Sequence, residues 1–309
     1  MPTPLSQNLQ RVLDAAGQVV LGKAHPIRMA LACLVARGHL LIEDMPGVGK
    51  TTLAHALARL LGLQFARVQF TSDMLPADLL GTTIFERDSG RFRFHPGPVF
   101  AQVLLADEIN RATPKAQSAL LEAMEERQVT LDGETRPLPQ PFFVIATQNP
   151  THQIGTFPLP ESQLDRFMMR IELGYPARDA ERALLAGMDR RQLIAQIEPV
   201  MSVGELEAAQ AAADAIHAAP ALFDYVLALV EHTRGAPEFE VGLSPRGGLA
   251  LMAAARAWAL LAGRDHVLPE DVQAVAPGVV PHRLVASGEL LGRSAPDIAA
   301  GLLSAVPVP

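Results

Sequence analysis

Two short segments carry residues whose types and order suit phosphate chemistry. The first is Pro46-Gly47-Val48-Gly49-Lys50-Thr51-Thr52, between a short apolar run, His39-Leu40-Leu41-Ile42-Glu43, and a helix-like segment, Lys50–Leu61. Glycines let successive backbone N–H groups curl around an anion with no Cβ in the way, and the helix that follows turns its positive N-terminus on the same point. Gly47, Val48, Gly49, Lys50, Thr51 and Thr52 are therefore candidate nucleotide-binding residues. Lys50 would reach the β- and γ-phosphates, and the Thr51 hydroxyl would take a Mg²⁺ coordination position. The strict pattern has a glycine five residues before Gly49; this chain has Asp44 there, with Pro46 stiffening the loop instead.

The second segment, Val103-Leu104-Leu105-Ala106-Asp107-Glu108, is an apolar strand ending in two acids. The carboxyl ends of parallel strands open into the ligand crevice. Asp107 there can hold Mg²⁺ through its water shell, and Glu108 can orient and deprotonate a water for in-line attack on the γ-phosphate. Two acids ending a strand are by themselves an ordinary solvated turn; the phosphate loop gives them this role. Together they describe a nucleotide hydrolase. Ala146-Thr147-Gln148-Asn149 closes another strand with amides. Asn149 could stand between Glu108 and the γ-phosphate and fix the water, although spacing alone also fits a strand-terminating turn before Pro150.

The elements that must position these residues alternate. Leu9–Val20 and His25–Ala36 have helical spacing, and Phe65–Phe70, Val99–Leu105, Phe142–Ala146 and Phe167–Leu173 are strand-like. Thr113-Pro114 opens a further helix with Ala116, Ala119, Leu120, Ala123 and Met124 on one face. Short buried strands alternating with helices predict an open parallel α/β sheet covered on both faces. Two hairpins, at about 82–94 and about 129–136, interrupt the rhythm as projections; Asp132-Gly133 suits a type I′ turn. Beyond Tyr175-Pro176 the chain becomes alanine- and leucine-rich helices: Ala177–Met188, Val203–His217, Ala221–Thr233, Pro245–Leu261, one beginning at Pro269–Val275, and a short one after Ser294. The expected organisation is an α/β nucleotide-binding domain over 1–175 and a smaller all-helical domain over 176–309.

In this order the elements resemble the AAA+ ATPases, P-loop NTPases with a three-layer αβα core and a helical lid. Gly38-His39, the phosphate loop, Ala106-Asp107-Glu108-Ile109-Asn110-Arg111-Ala112, Ala146-Thr147-Gln148-Asn149-Pro150, Pro158-Leu159-Pro160-Glu161 and Leu164-Asp165-Arg166-Phe167 more narrowly resemble the MoxR family, in the helix-2-insert clade. The resemblance implies Mg²⁺-dependent ATP hydrolysis. It makes Arg166 an arginine finger that reaches the γ-phosphate of a neighbouring subunit, and Arg246, in Gly242-Leu243-Ser244-Pro245-Arg246, a sensor arginine acting from the lid. ATP and Mg²⁺ would then bind in the cleft between the two domains. Without the resemblance, Arg166 fits a salt bridge to Asp165, and Arg246 a solvated first-turn residue. Arg111 is a weaker candidate for reaching across a subunit interface. A finger acting in trans implies a homo-oligomeric ring, a hexamer by resemblance. The same source implies chaperone-like remodelling, activation or maturation of a client protein with a von Willebrand factor A domain. A metal-chelatase ATPase subunit, a DNA-acting motor and a nucleotide-gated module without turnover are the alternatives.

Composition narrows the field. The chain has 309 residues, 49% hydrophobic and 19% charged, enough to bury a large core without staples. Its single cysteine, Cys33, excludes a disulfide framework and sits on an apolar helical face where an inert thiol is expected. A net charge of −7 disfavours nucleic acid as a partner. No apolar run reaches a membrane span, and the first residues lack a signal-peptide pattern, so a cytoplasmic protein with no membrane insertion is expected. The nine histidines form no zinc-binding spacing, and no Gly-x-Ser-x-Gly elbow occurs. Arg91-Phe92-Arg93-Phe94 alternates as a half-buried strand does, a simpler account than single-stranded nucleic-acid binding. Glu122, Glu125 and Glu126 read as a solvated helix face.

Overall fold

The computed structural model describes residues 4–149, 156–187, 190–288 and 292–308. Helices α1 (Pro4–Val19) and α2 (Ala24–Val35) precede strand β1 (Leu40–Glu43), then come helix α3 (Lys50–Leu60), strand β2 (Phe65–Gln69) and helix α4 (Pro76–Leu80). A hairpin of β3 (Gly81–Glu86) and β4 (Arg91–Pro96) leads to β5 (Val103–Asp107), α5 (Pro114–Glu126), a second hairpin of β6 (Gln128–Leu131) and β7 (Glu134–Pro137), and β8 (Phe143–Gln148). Helix α6 (Glu161–Leu164) and strand β9 (Met169–Ile171) complete this half.

Five strands form one sheet in the order β2-β5-β8-β1-β9, and every neighbouring pair is parallel. Alternate residues of a strand point to opposite faces. Leu40, Ile42, Val103, Leu105, Phe143 and Ile145 accordingly enter one core with α1, α2 and α3, whereas Leu41, Leu104, Ala106, Val144 and Ala146 enter a second with α4 and α5. The predicted two-sided α/β architecture is what forms. Each hairpin is a separate two-stranded sheet. Asp132 (φ 52°) and Gly133 (φ 80°) both take the left-handed values a type I′ turn needs. The β3–β4 hairpin departs from the half-buried expectation: Phe94 packs on Phe100 and under Arg136, but Phe92 is 74% exposed, with Phe85 against it across the strands.

The remaining elements are α7 (Arg178–Ala186), α8 (Arg190–Ala195), α9 (Val203–Asp214), α10 (Pro220–Gly235), β10 (Phe239–Val241), α11 (Pro245–Leu261), α12 (Pro269–Val279), β11 (Val285–Ala286) and α13 (Ala295–Ala305). Two corrections to the sequence expectation follow. The segment is not all-helical, because β10 and β11 pair antiparallel; strands of three and two residues are too short to show a period. The helix after Ser294 is not short: α13 runs eleven residues, with the Ser294 hydroxyl accepting from the Asp297 N–H at its start. Helix α8 packs on α3, and its Ile194 and Ala195 border a cleft together with Thr51 and Thr52. Leu206, Leu229, Leu251 and Val272 join the core on the α1–α3 face, and Gly278 of α12 lies against Met29 of α2 beside the edge strand β9.

Gly38-His39, at the foot of β1, is a packing device. A Cβ on Gly38 would lie 2.4 Å from that of Met168. Buried His39 accepts a hydrogen bond from Val144 N–H at Nδ1 (3.0 Å), so Nε2 carries the proton and faces the Met124 carbonyl at 3.3 Å. Burial, helped by the Arg127 charge, pushes its pKa down to about 4 against that bond. The unfolded chain therefore takes up a proton below pH 6.5 that the fold resists until about pH 4, and stability falls across that window as pH drops. Between pH 7 and 5 this linkage is expected to remove roughly 2 kcal/mol. Urea unfolding of wild type and His39→Gln at both pH values checks it; equal losses in the two proteins would refute it. Cys33 is buried, its thiol pushed up by burial, as expected of an inert side chain.

Candidate active site

The loop between β1 and α3 turns on two left-handed glycines, Gly47 (φ 86°) and Gly49 (φ 102°), with open space where a Cβ would project from either. Lys50, the first residue of α3, is buried. Its ammonium donates to Asp44 O (2.6 Å), Asn149 Oδ1 (3.0 Å) and Gln148 O (3.3 Å). Burial lowers its pKa, while Asp44, Asp107, Glu108 and Glu43 oppose that shift. Thr51 and Thr52 follow on the same first turn and line a cleft of about 620 Å³ that Arg67 and, from α8, Ile194 and Ala195 also border.

Asp107 ends β5, the neighbour of β8, so Thr147 comes alongside it. Asp107 Oδ1 accepts from Thr147 Oγ1 at 2.6 Å, and Oδ2 accepts from Arg67 Nη2 at 2.6 Å and Nε at 3.1 Å. Glu108 is left-handed (φ 57°, ψ 50°), a strained conformation for a non-glycine residue and one that collects at functional sites. Its N–H donates to Thr147 Oγ1 (2.9 Å), which holds that backbone. Its carboxylate accepts from Asn149 Nδ2 (3.3 Å) and Gln69 Nε2 (3.0 Å) and pairs with Arg111 Nε (3.1 Å). Lys50, Asn149, Glu108 and Asp107 thus form one connected cluster at the carboxyl end of the sheet. A cation beside a glycine cradle can bind phosphate, and a strained carboxylate next to it can take a proton from water.

Three partners in this cluster escape a motif search. Arg67 and Gln69 lie two apart on β2 and so share a face beside β5, a pattern visible only once that pairing is known. Thr147 stood within a strand-ending string, with no sign that its hydroxyl bridges Asp107 and the Glu108 backbone.

The two remaining arginines are elsewhere. Arg166 donates Nη1 to Leu121 O (2.7 Å), with Nε 3.9 Å from Glu125; Arg246 pairs directly with the same Glu125. They share a cleft with Gly38 and His39 at the amino end of β1, whereas the phosphate loop leaves its carboxyl end. Four strand residues at about 3.3 Å each separate the two ends by roughly 13 Å. Arg246 therefore does not reach the phosphate loop of its own chain; the C-terminal residues that border the cleft beside that loop are Ile194 and Ala195 of α8. Glu125 is likewise no plain solvated acid but the joint between the two arginines. Arg166 does not pair with Asp165, which binds Arg283 Nε (2.8 Å) and the Ser244 hydroxyl (3.1 Å) instead. Arg283 is buried, its other N–H groups reaching the carbonyls of Asp165 (3.2 Å), Phe167 (2.6 Å), Met168 (3.0 Å) and Val279.

Comparison with known proteins agrees with this geometry. The model of the ATPase family associated with various cellular activities (AAA) matches residues 39–169, and that of the AAA lid domain matches residues 231–300. YeaC of Bacillus subtilis is 44% identical over 97% of this chain and 95% of its own. Chaperone MoxR1 of Mycobacterium tuberculosis is 42% identical over 92% of this chain and 77% of its own. Protein MoxR of Paracoccus denitrificans is 39% identical over 88% and 87%. The crystal structure of a candidate ATPase from Cytophaga hutchinsonii superposes with a TM-score of 0.89 at 37% identity, covering 99% of this chain and 96% of that one.

Proposed function

The chain belongs to the MoxR family of AAA ATPases, and from that premise we propose that it works as a ring whose ATP hydrolysis remodels a client protein. The observation that carries this reading is the two-ended arrangement: phosphate loop and carboxylates at one end of the sheet, paired arginines at the other. A chain so built completes its neighbour's site, not its own.

In this reading residues 1–175 form the nucleotide-binding domain and 176–309 the lid. The amides from Gly47 to Thr52 cradle ATP, and Lys50 exchanges its present oxygen partners for phosphate oxygens. The Thr51 hydroxyl and the Asp107 carboxylate are hard oxygen donors of the kind Mg²⁺ prefers, and Asp107 already balances a cation in Arg67. Mg²⁺, when bound, neutralises phosphate charge. Glu108 takes the proton of the attacking water, oriented by Asn149. Arg166 and Arg246 enter the next subunit's site, where a guanidinium offsets charge developing on the γ-phosphate.

No helix among the described residues is long and apolar enough to cross a membrane; the cytoplasm is the setting proposed for the ring. The client follows from the relative named a chaperone, and a von Willebrand factor A domain is the partner proposed here. Mass photometry with saturating ATP and Mg²⁺ tests the ring: a species near six times the 33.1 kDa chain mass is expected. A chain that stays monomeric throughout would overturn the oligomeric mechanism.

A further inference from the structure

Asp44 stands where the strict phosphate-loop pattern has glycine, and its side chain is fully engaged. Oδ1 accepts from Met45 N–H at 2.7 Å; Oδ2 accepts from the Leu173 and Gly174 N–H groups, each at 2.6 Å. Its carbonyl accepts from the Lys50 ammonium at 2.6 Å. Leu173-Gly174 lies just past β9 and, through Gly174 at φ 66° and Tyr175-Pro176, leads into α7, the first helix of the C-terminal segment. With glycine at position 44, neither the Leu173 nor the Gly174 amide would have this acceptor. One residue therefore touches the phosphate-binding lysine through its backbone and the root of the lid through its side chain.

We propose that Asp44 is a positioning residue that transmits the state of the phosphate loop to the lid. The inference rests on the reading that Lys50 binds nucleotide phosphate. To do so, the ammonium must leave the carbonyl of Asp44 and the amide of Asn149, which frees the first turn of the loop to shift. Two short charge-assisted hydrogen bonds carry that shift to the 173–174 turn. The neighbouring ties do not duplicate this link. Lys23 Nζ holds the Tyr175 carbonyl (2.6 Å) from the α1–α2 loop without touching Lys50. Glu43, which accepts from Gln148 Nε2 (2.9 Å) beside the Gln148 carbonyl that Lys50 also meets, pairs with Arg170 (3.1 Å) within β9 and not with the 173–174 turn.

The test uses the full chain as wild type, Asp44→Gly, Asp44→Asn and Lys50→Ala, with a fluorescent ATP analogue for affinity and hydrogen exchange over residues 172–187. In wild type, nucleotide is expected to change exchange in that segment. Asp44→Gly should bind nucleotide within about threefold of wild type, lose the exchange response, and turn over ATP at least about tenfold more slowly, a loss in kcat rather than KM. Asp44→Asn has one carbonyl oxygen for the work of two carboxylate oxygens, so it should fall between; it decides the matter should the glycine variant fail to fold. The proposal is overturned if a folded variant keeps the wild-type exchange response. It is also overturned if affinity falls more than about tenfold with the response intact in the bound fraction, which would make Asp44 a binding residue. If Lys50→Ala binds nucleotide as well as wild type does, the site reading fails first and the coupling falls with it.

Discussion

Glu108→Gln is expected to lower ATP turnover by about 10²–10⁴-fold while nucleotide still binds. The substitution keeps size and one acceptor oxygen, which can still serve Gln69 and Arg111 where Oε2 now sits, while the bond from Asn149 to Oε1 is lost. The left-handed backbone is held by Thr147 through the Glu108 N–H, which the substitution leaves alone. What disappears is the capacity to accept a proton from water. Binding should persist because Lys50 and the loop amides are untouched. Steady-state turnover alongside equilibrium binding of labelled ATP reads the two effects separately. Turnover within about fivefold of wild type would move the base elsewhere and leave Glu108 as a hydrogen-bonded turn residue.

Arg166→Ala should be at least as damaging, since an arginine finger supplies about 10³–10⁵ in rate. Its distinguishing property is rescue by mixing. A Lys50→Ala subunit has no working phosphate loop but keeps its arginines, and an Arg166→Ala subunit has the reverse. Each is inactive alone. In rings mixed at random in equal amounts, about one site in four pairs an intact loop with a neighbour's intact arginine, so turnover should recover toward a quarter of wild type. Failure to recover in rings shown to be mixed would mean that Arg166 acts within its own chain or holds structure. Its hydrogen bond to the Leu121 carbonyl is the interaction that a structural role would rely on.

Local signals carried the sheet and its loop. The strands β1, β5 and β8 are short, apolar and buried on both faces, and glycine, lysine and threonine follow the first of them in one recognisable string. Asp44 was visible as a departure from pattern, but its acceptor role was not, because Leu173 and Gly174 are brought to it only by the pairing of β1 with β9. The placement of Arg246 was the least legible point. Helices rich in alanine and leucine offer broad apolar faces and little to select one neighbour over another. Their docking beside α2 and β9 depends on single close fits, such as Gly278 against Met29, where a Cβ would lie 2.5 Å from the methionine methyl. Glu125 was hidden for the same reason: an acid on an exposed turn gains meaning only when two arginines arrive from distant parts of the chain.

The buried guanidinium of Arg283 has a mechanical consequence. It comes from the lid, yet it grips the carbonyls of Asp165, Phe167 and Met168, which bracket Arg166. Ser244, at the head of the helix that bears Arg246, holds the side chain of the same Asp165. The segment that bears Arg166, although it belongs to the first half of the chain, is thus riveted to the second. The segment is tied to the sheet as well, through Met168 N–H on the His39 carbonyl (2.9 Å) and Arg166 on the Leu121 carbonyl. Strain applied to the helix that bears Arg246 is therefore passed to the core here, apart from the seam at 175–176 that the sequence suggests.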